Sequence, residues 1–382
     1  MPAQRQHPRG RPARKGVRPA PLRRCVPTRR HGPTIHSGPI DTSGRGPAVH
    51  ISVADLADGA ADLPLLAPDG SVHDPLVTVD LAPADPAVAA RAAQRAGDCD
   101  RILIGLGTAD PELLRALDLT LGAGGREAVD DPAASPDVLR EAVTRNPHAS
   151  LLLRDVLRTT EGMPVDAALD VESYAYSTLL GGPEFARWLA ARPPRPVPPE
   201  ADDPVLLARD AGHLSITLNR PERRNAFGRQ LRDALVDALT VAASDPAITR
   251  VTLRGAGPAF CSGGDLAEFG AAPDLATAHL VRTRGGAGRL IHRLAGRVEA
   301  RVHGPCVGAG IELPAFAGRV TAHRDATFRL PEVSMGLIPG ASGTVSIPRR
   351  IGRWRTLYMA LTGTPVPAET ALAWHLVDGI RP

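Results

Sequence analysis

Arg301-Val-His-Gly-Pro-Cys-Val-Gly-Ala-Gly-Ile-Glu312 runs from a strand through a glycine-rich turn into a helix. Glycine permits the sharp turn and the close approach to another segment that such a passage needs. The same order recurs upstream. Leu214-Ser-Ile-Thr-Leu218 alternates strictly between apolar and polar residues, and a polar turn then leads to an amphipathic helix over Gln230–Ala243. Val251–Leu253 is a second strand. It passes through Gly255-Ala-Gly257-Pro into Phe260-Cys-Ser-Gly-Gly-Asp265, and a helical pattern follows over roughly Leu275–Ala295. Strand–helix order repeated in this way predicts a wound α/β domain.

Working outward, Pro193-Pro-Arg-Pro-Val-Pro-Pro199 places five prolines in seven residues, a stiff extended linker and the clearest boundary in the chain. The expected organisation is a disordered basic leader over 1–48, an N-terminal region over 50–192, a Pro-rich linker over 193–204 and a core domain over 205–382. Residues 50–132 alternate, with strands expected at Val77–Leu81 and Arg101–Gly105 and helices at Pro86–Ala96 and Pro111–Leu117. Residues 136–192 are helical almost throughout. Ser135-Pro-Asp opens one helix, and Pro164 stands where a first turn accepts proline. Val165, Leu169, Tyr176 and Leu180 fall at helical intervals, and Pro183–Ala191 carries Phe185, Trp188 and Leu189 on neighbouring turns.

Composition excludes several kinds of chemistry. Residues 1–50 hold eleven Arg/Lys and one Asp, about +10, which leaves the remainder near −6 against the total of +4. The body is therefore mildly acidic, and its charge gives no sign of a nucleic-acid partner. Lys15 is the only lysine, so the body has neither a Schiff-base lysine nor a P-loop lysine. Cys25, Cys99, Cys261 and Cys306 show no C-x-x-C spacing, which argues against a zinc site or a disulfide framework and suits a reducing cytoplasm. No apolar run reaches the length of a membrane span. No metal or redox cofactor is indicated; the leader reads as floppy, with a transit peptide or polyanion-binding arm as the alternatives.

Four strings in order over about 180 residues resemble the enoyl-CoA hydratase/isomerase (crotonase) superfamily. They are Ile216-Thr-Leu-Asn-Arg-Pro-Glu-Arg-Arg-Asn225-Ala, Phe260–Leu266, His303–Leu313, and Phe328-Arg-Leu-Pro331-Glu332-Val through Gly336-Leu-Ile-Pro339 to Gly343-Thr. The resemblance implies an α/β fold with a crotonase-type ββα spiral core, here with an N-terminal α/β and helical region.

It also implies a site. An acyl-CoA thioester reacts through an enolate, and two backbone N–H groups aimed at one point stabilise its oxygen without reorganisation. By the family match these donors are the amides of Ser262 and Ala309, the latter an alanine where glycine is usual. Glu312 and Glu332, twenty residues apart, match the hydratase acid pair. In that reading Glu312 positions water and Glu332 donates the proton. Two carboxyls in one desolvated pocket have their pKa values pushed apart, which separates acid from base. The alternative for Glu332 is a carboxylate at a helix N-terminus. CoA contacts map to Arg220, Pro221, Arg223 and Asn225, with Gly263, Gly264 and Asp265 in the loop beside the adenine. Asp265 reads as structural, Cys261 and Cys306 as small core residues, and His303 as part of its turn. His279, Arg282, Arg284 and His292 border the acyl pocket in the family; on the residues alone they read as a wet helix face.

Family members continue past the equivalent of Leu376–Ile380 with helices that cover the site. Asn146–Arg192 resembles those helices, placed upstream, and residues 50–132 resemble a worn first half. The expected activity is hydration of a 2-enoyl-CoA or its reversal. Double-bond isomerisation, a cofactor-independent oxygenase like the dihydroxyphenylacetyl-CoA dioxygenases, and a non-catalytic acyl-CoA-binding module are the alternatives. The expected partner is the acyl-CoA substrate, with no nucleic acid or membrane, in a homotrimer or hexamer by analogy.

Overall fold

The computed structural model describes residues 50–382 apart from positions 123, 132, 194, 195, 197, 198 and 200. The expected leader lies outside these residues, as does much of the expected linker.

The chain begins with β1 (His50–Ser52), α1 (Val53–Ala57), β2 (Leu76–Leu81), α2 (Pro86–Asp98), β3 (Ile102–Gly107), α3 (Pro111–Ala116), β4 (Leu119–Leu121) and β5 (Ala128–Val129). The five strands form one parallel sheet in chain order. β2 and β3 are apolar almost throughout and almost wholly buried, as parallel strands covered on both faces require. Both crossing helices start as their sequences specify. Asp85 and Asp110 accept the amides of Ala87 and Glu112 at 2.8 and 2.9 Å, with proline at the first helical position.

Four helices follow: α4 (Pro136–Arg145), α5 (Pro147–Thr159), α6 (Val165–Leu180) and α7 (Pro183–Ala190). Ser135 caps α4 through Val138, whereas Pro164 proves to be the cap residue of α6 rather than part of its first turn.

The last stretch comprises β6 (Val205–Asp210), β7 (His213–Leu218), α8 (Arg229–Ser244), β8 (Arg250–Gly255), α9 (Leu275–Arg284), α10 (Ala287–Arg293), β9 (Val298–Val302), β10 (Pro305–Val307), α11 (Ala309–Glu312), β11 (Arg319–His323), β12 (Thr327–Arg329), α12 (Gly343–Thr362), β13 (Val366–Pro367), α13 (Ala368–Ala373) and β14 (Gly379–Arg381). Its main sheet runs β6-β7-β8-β9-β11-β14, parallel except for the β6–β7 hairpin. A small second sheet joins β10, β12 and β13. The alternating pattern did not single out β6, whose side chains are nearly all exposed. The expected Leu275–Ala295 helix breaks at Gly285-Gly286 into α9 and α10.

The Pro-rich stretch does not divide the apolar core. One cluster takes in Leu76, Val143, Leu169 and Phe185 from before it and Ile216, Phe260, Phe328 and Leu357 from after it. A smaller cluster lies between the first sheet and α1–α3. α12 spans the junction. It kinks at Gly352, its first half starting beside Glu312 and its second half docking on the first sheet, where Trp354 Nε1 donates to the Leu117 carbonyl at 3.0 Å. Among the described residues no helix is long and apolar enough to cross a membrane.

Candidate active site

Two backbone segments meet at the centre of the site. The amide of Val307 donates to the Cys261 carbonyl at 3.1 Å, and a Cβ on Gly310 would collide with that same carbonyl. Only glycine at 310 lets the segments come so close. Gly308 opens α11 with φ 48° and ψ −120°, a conformation that side chains resist. A Cβ there would stand 2.5 Å from Glu332 Oε1 and 3.4 Å from Glu312 Oε1. Gly308 thus lies between the two carboxyls, whose oxygens are no farther apart than the sum of those distances.

Glu312 closes α11 and Glu332 opens the turn after β12; they are 2% and 9% exposed. Their surroundings differ. Glu312 Oε2 accepts the amides of Ala341 and Gly343, both at 2.8 Å, at the start of α12. Glu332 Oε2 is buried without a hydrogen-bond partner among the described residues. Burial pushes the Glu332 carboxyl up to about 8. Burial, followed by the nearby charges of Glu332 and Glu172, raises Glu312 well above the usual carboxylate range.

Both carboxyls line a cavity of about 330 Å³, together with Gly264, Ala309, Glu172 and Tyr176. Leu169, Leu180 and Phe185 supply apolar wall from α6 and α7, so helices before the Pro-rich stretch close the site. Glu172 had a legible signal: it lies three residues after Leu169 and four before Tyr176, a lone acid within an apolar stripe. The family motifs, all of which lie downstream, do not point to it.

Ser262 requires a correction. Its amide donates to the Arg224 carbonyl at 2.9 Å, and the residue does not line the cavity. Two residues on, Gly264 does line it, and neither its amide nor that of Ala309 has an acceptor among the described residues. Arg224 and Asn225 sit at φ 51° and 53°, and this left-handed pair turns the Arg224 carbonyl onto Ser262. Nothing in the motif string announces that bond.

The expected CoA contacts also move. Asn225 is fully buried; its Oδ1 accepts the Arg220 amide at 2.7 Å, and its Nδ2 donates to the carbonyls of Ala256, Ala259 and Phe260. It latches the loop. Arg220 is 3% exposed, and Arg223 grips both oxygens of Asp265 at 2.7 and 2.9 Å. Arg220, Pro221, Arg223, Asn225 and Gly263 all lie off the cavity, whereas Gly264 and Asp265 line it. Phe227, Arg229 and Arg232 line it in addition. Asp265 is structural, bound by Arg223 and capping its own turn at Ala267.

The polar residues of α9 and α10 join helices instead of forming a wet face. His279 Nδ1 and Arg282 Nε meet Ser173 Oγ at 3.0 and 3.1 Å, while Arg284 and Arg289 share Asp170. His292 tilts against Phe316, and Arg282 also lines the cavity. His303 Nε2 reaches across to the Gly257 carbonyl at 2.9 Å, in the loop after β8. Cys261 and Cys306 are buried, and burial pushes the Cys261 thiol up to about 12, which disfavours its nucleophilic thiolate form.

The sequence pattern of the enoyl-CoA hydratase/isomerase family matches residues 208–382. The chain is 35% identical over 178 residues to 2,3-dehydroadipyl-CoA hydratase of Escherichia coli (strain K12), covering 47% of this chain and 69% of the relative. It is equally similar to 1,2-epoxyphenylacetyl-CoA isomerase of the same organism, with 45% and 68% covered. A solved enoyl-CoA hydratase from Mycobacterium smegmatis is 34% identical, with 47% of this chain and 70% of that chain covered and a TM-score of 0.44. The chain belongs to the enoyl-CoA hydratase/isomerase (crotonase) family, whose members act on acyl-CoA thioesters.

Proposed function

We propose that this protein adds water to a 2-enoyl-CoA, or removes it from a 3-hydroxyacyl-CoA, through an enolate. The observation that carries this reading is a pair of differently bonded carboxyls, Glu312 and Glu332, facing one cavity beside two amides without an acceptor among the described residues. The thioester oxygen accepts the amides of Gly264 and Ala309, which stabilise its developing negative charge. Burial raises both carboxyls, but two amides oppose that rise at Glu312 while Glu332 has a bare Oε2, so we assign the pair's shared proton to Glu332 and the charge to Glu312. Glu312 takes a proton from water as its oxygen bonds C3; Glu332 gives its proton to C2. Transfer of a proton from Glu312 to Glu332 resets the site.

Arg229 and Arg232 of α8, which line the cavity, take the CoA phosphate role, since Arg220 is buried off the cavity and Arg223 is bound to Asp265. Helices α5–α7, of which α6 and α7 line the cavity, act as the covering helices of the site, and residues 50–132 stand as a reduced first half. The family resemblance extends the reading to a cytoplasmic homotrimer or hexamer, which light scattering of the purified protein tests. The equal likeness to a relative named as an isomerase supports isomerisation of an acyl-CoA as the second reading, read out with an enoyl-CoA as a double-bond shift.

The test is turnover of crotonyl-CoA and an aryl-enoyl-CoA by wild type, Glu312→Gln and Glu332→Gln. Hydration predicts a 3-hydroxyacyl product and a loss of about 10²–10⁴-fold in each variant. A shifted double bond without water uptake selects isomerisation. Binding without turnover, or oxygen consumption, rejects both.

A further inference from the structure

Helix α6 brings a third carboxyl to the cavity, one that the hydration steps do not use. Glu172 is 3% exposed. Its Oε1 accepts the Ser342 amide at 2.8 Å, and its Oε2 accepts the Thr344 amide at 2.9 Å and the Thr344 hydroxyl at 2.7 Å. The amides of Ala341 and Gly343, each one residue earlier, go to Glu312. Four consecutive N–H groups therefore alternate between two carboxyls. Ser342 makes the alternation possible by standing at φ 90°, in the left-handed region, where a backbone forms an anion-holding nest.

We propose that Glu172 is a positioning residue: by holding Ser342 and Thr344 it fixes the loop whose interleaved amides orient Glu312. The proposal rests on the hydration reading. It makes the family half of the chain depend on a residue before the Pro-rich stretch, outside the 208–382 match. Without Glu172, two amides and a hydroxyl at the start of α12 lose their acceptor, and the loop has no reason to keep Ser342 left-handed.

Charge gives a second handle. Glu172 is faced by Arg282 of α9, Glu312 of α11, Glu332 of the turn after β12 and Tyr176 on its own helix. Burial pushes its carboxyl up to about 7, against the pull of the Thr344 and Ser342 bonds and Arg282. Above that pH it is charged, and its charge favours the protonated forms of Glu312 and Glu332. Removing it lowers both, so the alkaline limb, where Glu332 loses its proton, moves to lower pH.

The experiment is a pH profile of kcat and kcat/KM for the full chain with an enoyl-CoA that the wild type turns over. Glu172→Gln is expected to lower kcat roughly tenfold or more with KM within about threefold, and to move the alkaline limb down by roughly half a unit or more. Glu172→Asp keeps the charge but falls one methylene short, so it lowers kcat and leaves the limb in place. Thr344→Val removes only the hydroxyl bond and moves the limb in the same direction by less. An unchanged kcat and limb in Glu172→Gln and Thr344→Val overturns the proposal; where Glu172→Gln does not fold, Thr344→Val decides it. A wild type that turns over no enoyl-CoA overturns the hydration reading instead. The ¹³C carboxyl titrations of Glu312 and Glu332 then decide between wild type and the two variants, and unmoved midpoints reject the role of Glu172.

Discussion

Glu332 shows how a single residue can be kept at a cost to the fold. Its carboxyl titrates at the ordinary 4.5 in the unfolded chain and at about 8 in the folded one. Between those values the native state holds the extra proton, so stability falls as pH rises from about 4.5 to about 8. Glu332→Gln removes that penalty. Its Tm should exceed the wild-type value at about pH 8.5 by on the order of 5 °C, with the gap closing toward pH 5; scanning calorimetry at several pH values checks this, and an equal gap throughout rejects it. Gly308 is constrained as tightly by space. Alanine there would drive a methyl into Glu332 Oε1 and force an unfavourable φ/ψ, so Gly308→Ala should lose activity by about 100-fold or more. Ala309→Gly, which keeps the amide, should stay within about threefold, as steady-state kinetics on the two variants will show.

At the scale of elements, the site is held by the seating of helices on one another. Ser173 Oγ meets both His279 and Arg282, and Arg282 also donates to the Ser173 carbonyl and to Ser177 while stacking 4.7 Å from the Tyr176 ring. Ser173→Ala leaves a half-buried guanidinium short of a partner, at a cost of about 1–3 kcal/mol. The expected outcome is faster amide hydrogen exchange in Leu275–Arg284, with β7–β9 unaffected; uniform exchange across both regions would show that α9 is held by other contacts. These staples explain why His279, Arg282 and Arg284 read as a wet face in the sequence. Their partners Asp170, Ser173 and Ser177 lie about a hundred residues upstream, beyond the reach of any local pattern.

Across the whole molecule, Asp118 joins the two parts of the chain. It is 1% exposed, accepts the Leu103 amide at 2.9 Å, and faces Arg158 at 2.7 Å, Arg154 at 3.4 Å and Arg353 at 3.5 Å. These groups come from the first sheet, α5 and α12. Asp118→Asn takes the shared charge from three buried or nearly buried guanidiniums, which keep only their other bonds, and should cost about 3–5 kcal/mol. The melt should remain one transition because the core is continuous; two separated transitions would show independently stable parts.

The amino-acid string alone carried the alternation of strands and helices, the family, the glycine-rich segments and the spacing of Glu312 and Glu332. Those features are local, fixed by periodicity, by turn chemistry and by motifs a few residues long. It was the tertiary structure that settled that Gly264 rather than Ser262 presents an amide without an acceptor among the described residues, because a pair of left-handed residues aims the Arg224 carbonyl at Ser262. It also decided that Asn225 latches a loop and that Glu172 enters the site. Each depends on which backbone groups meet across long stretches of chain, and a buried polar group is defined by the partner that satisfies it.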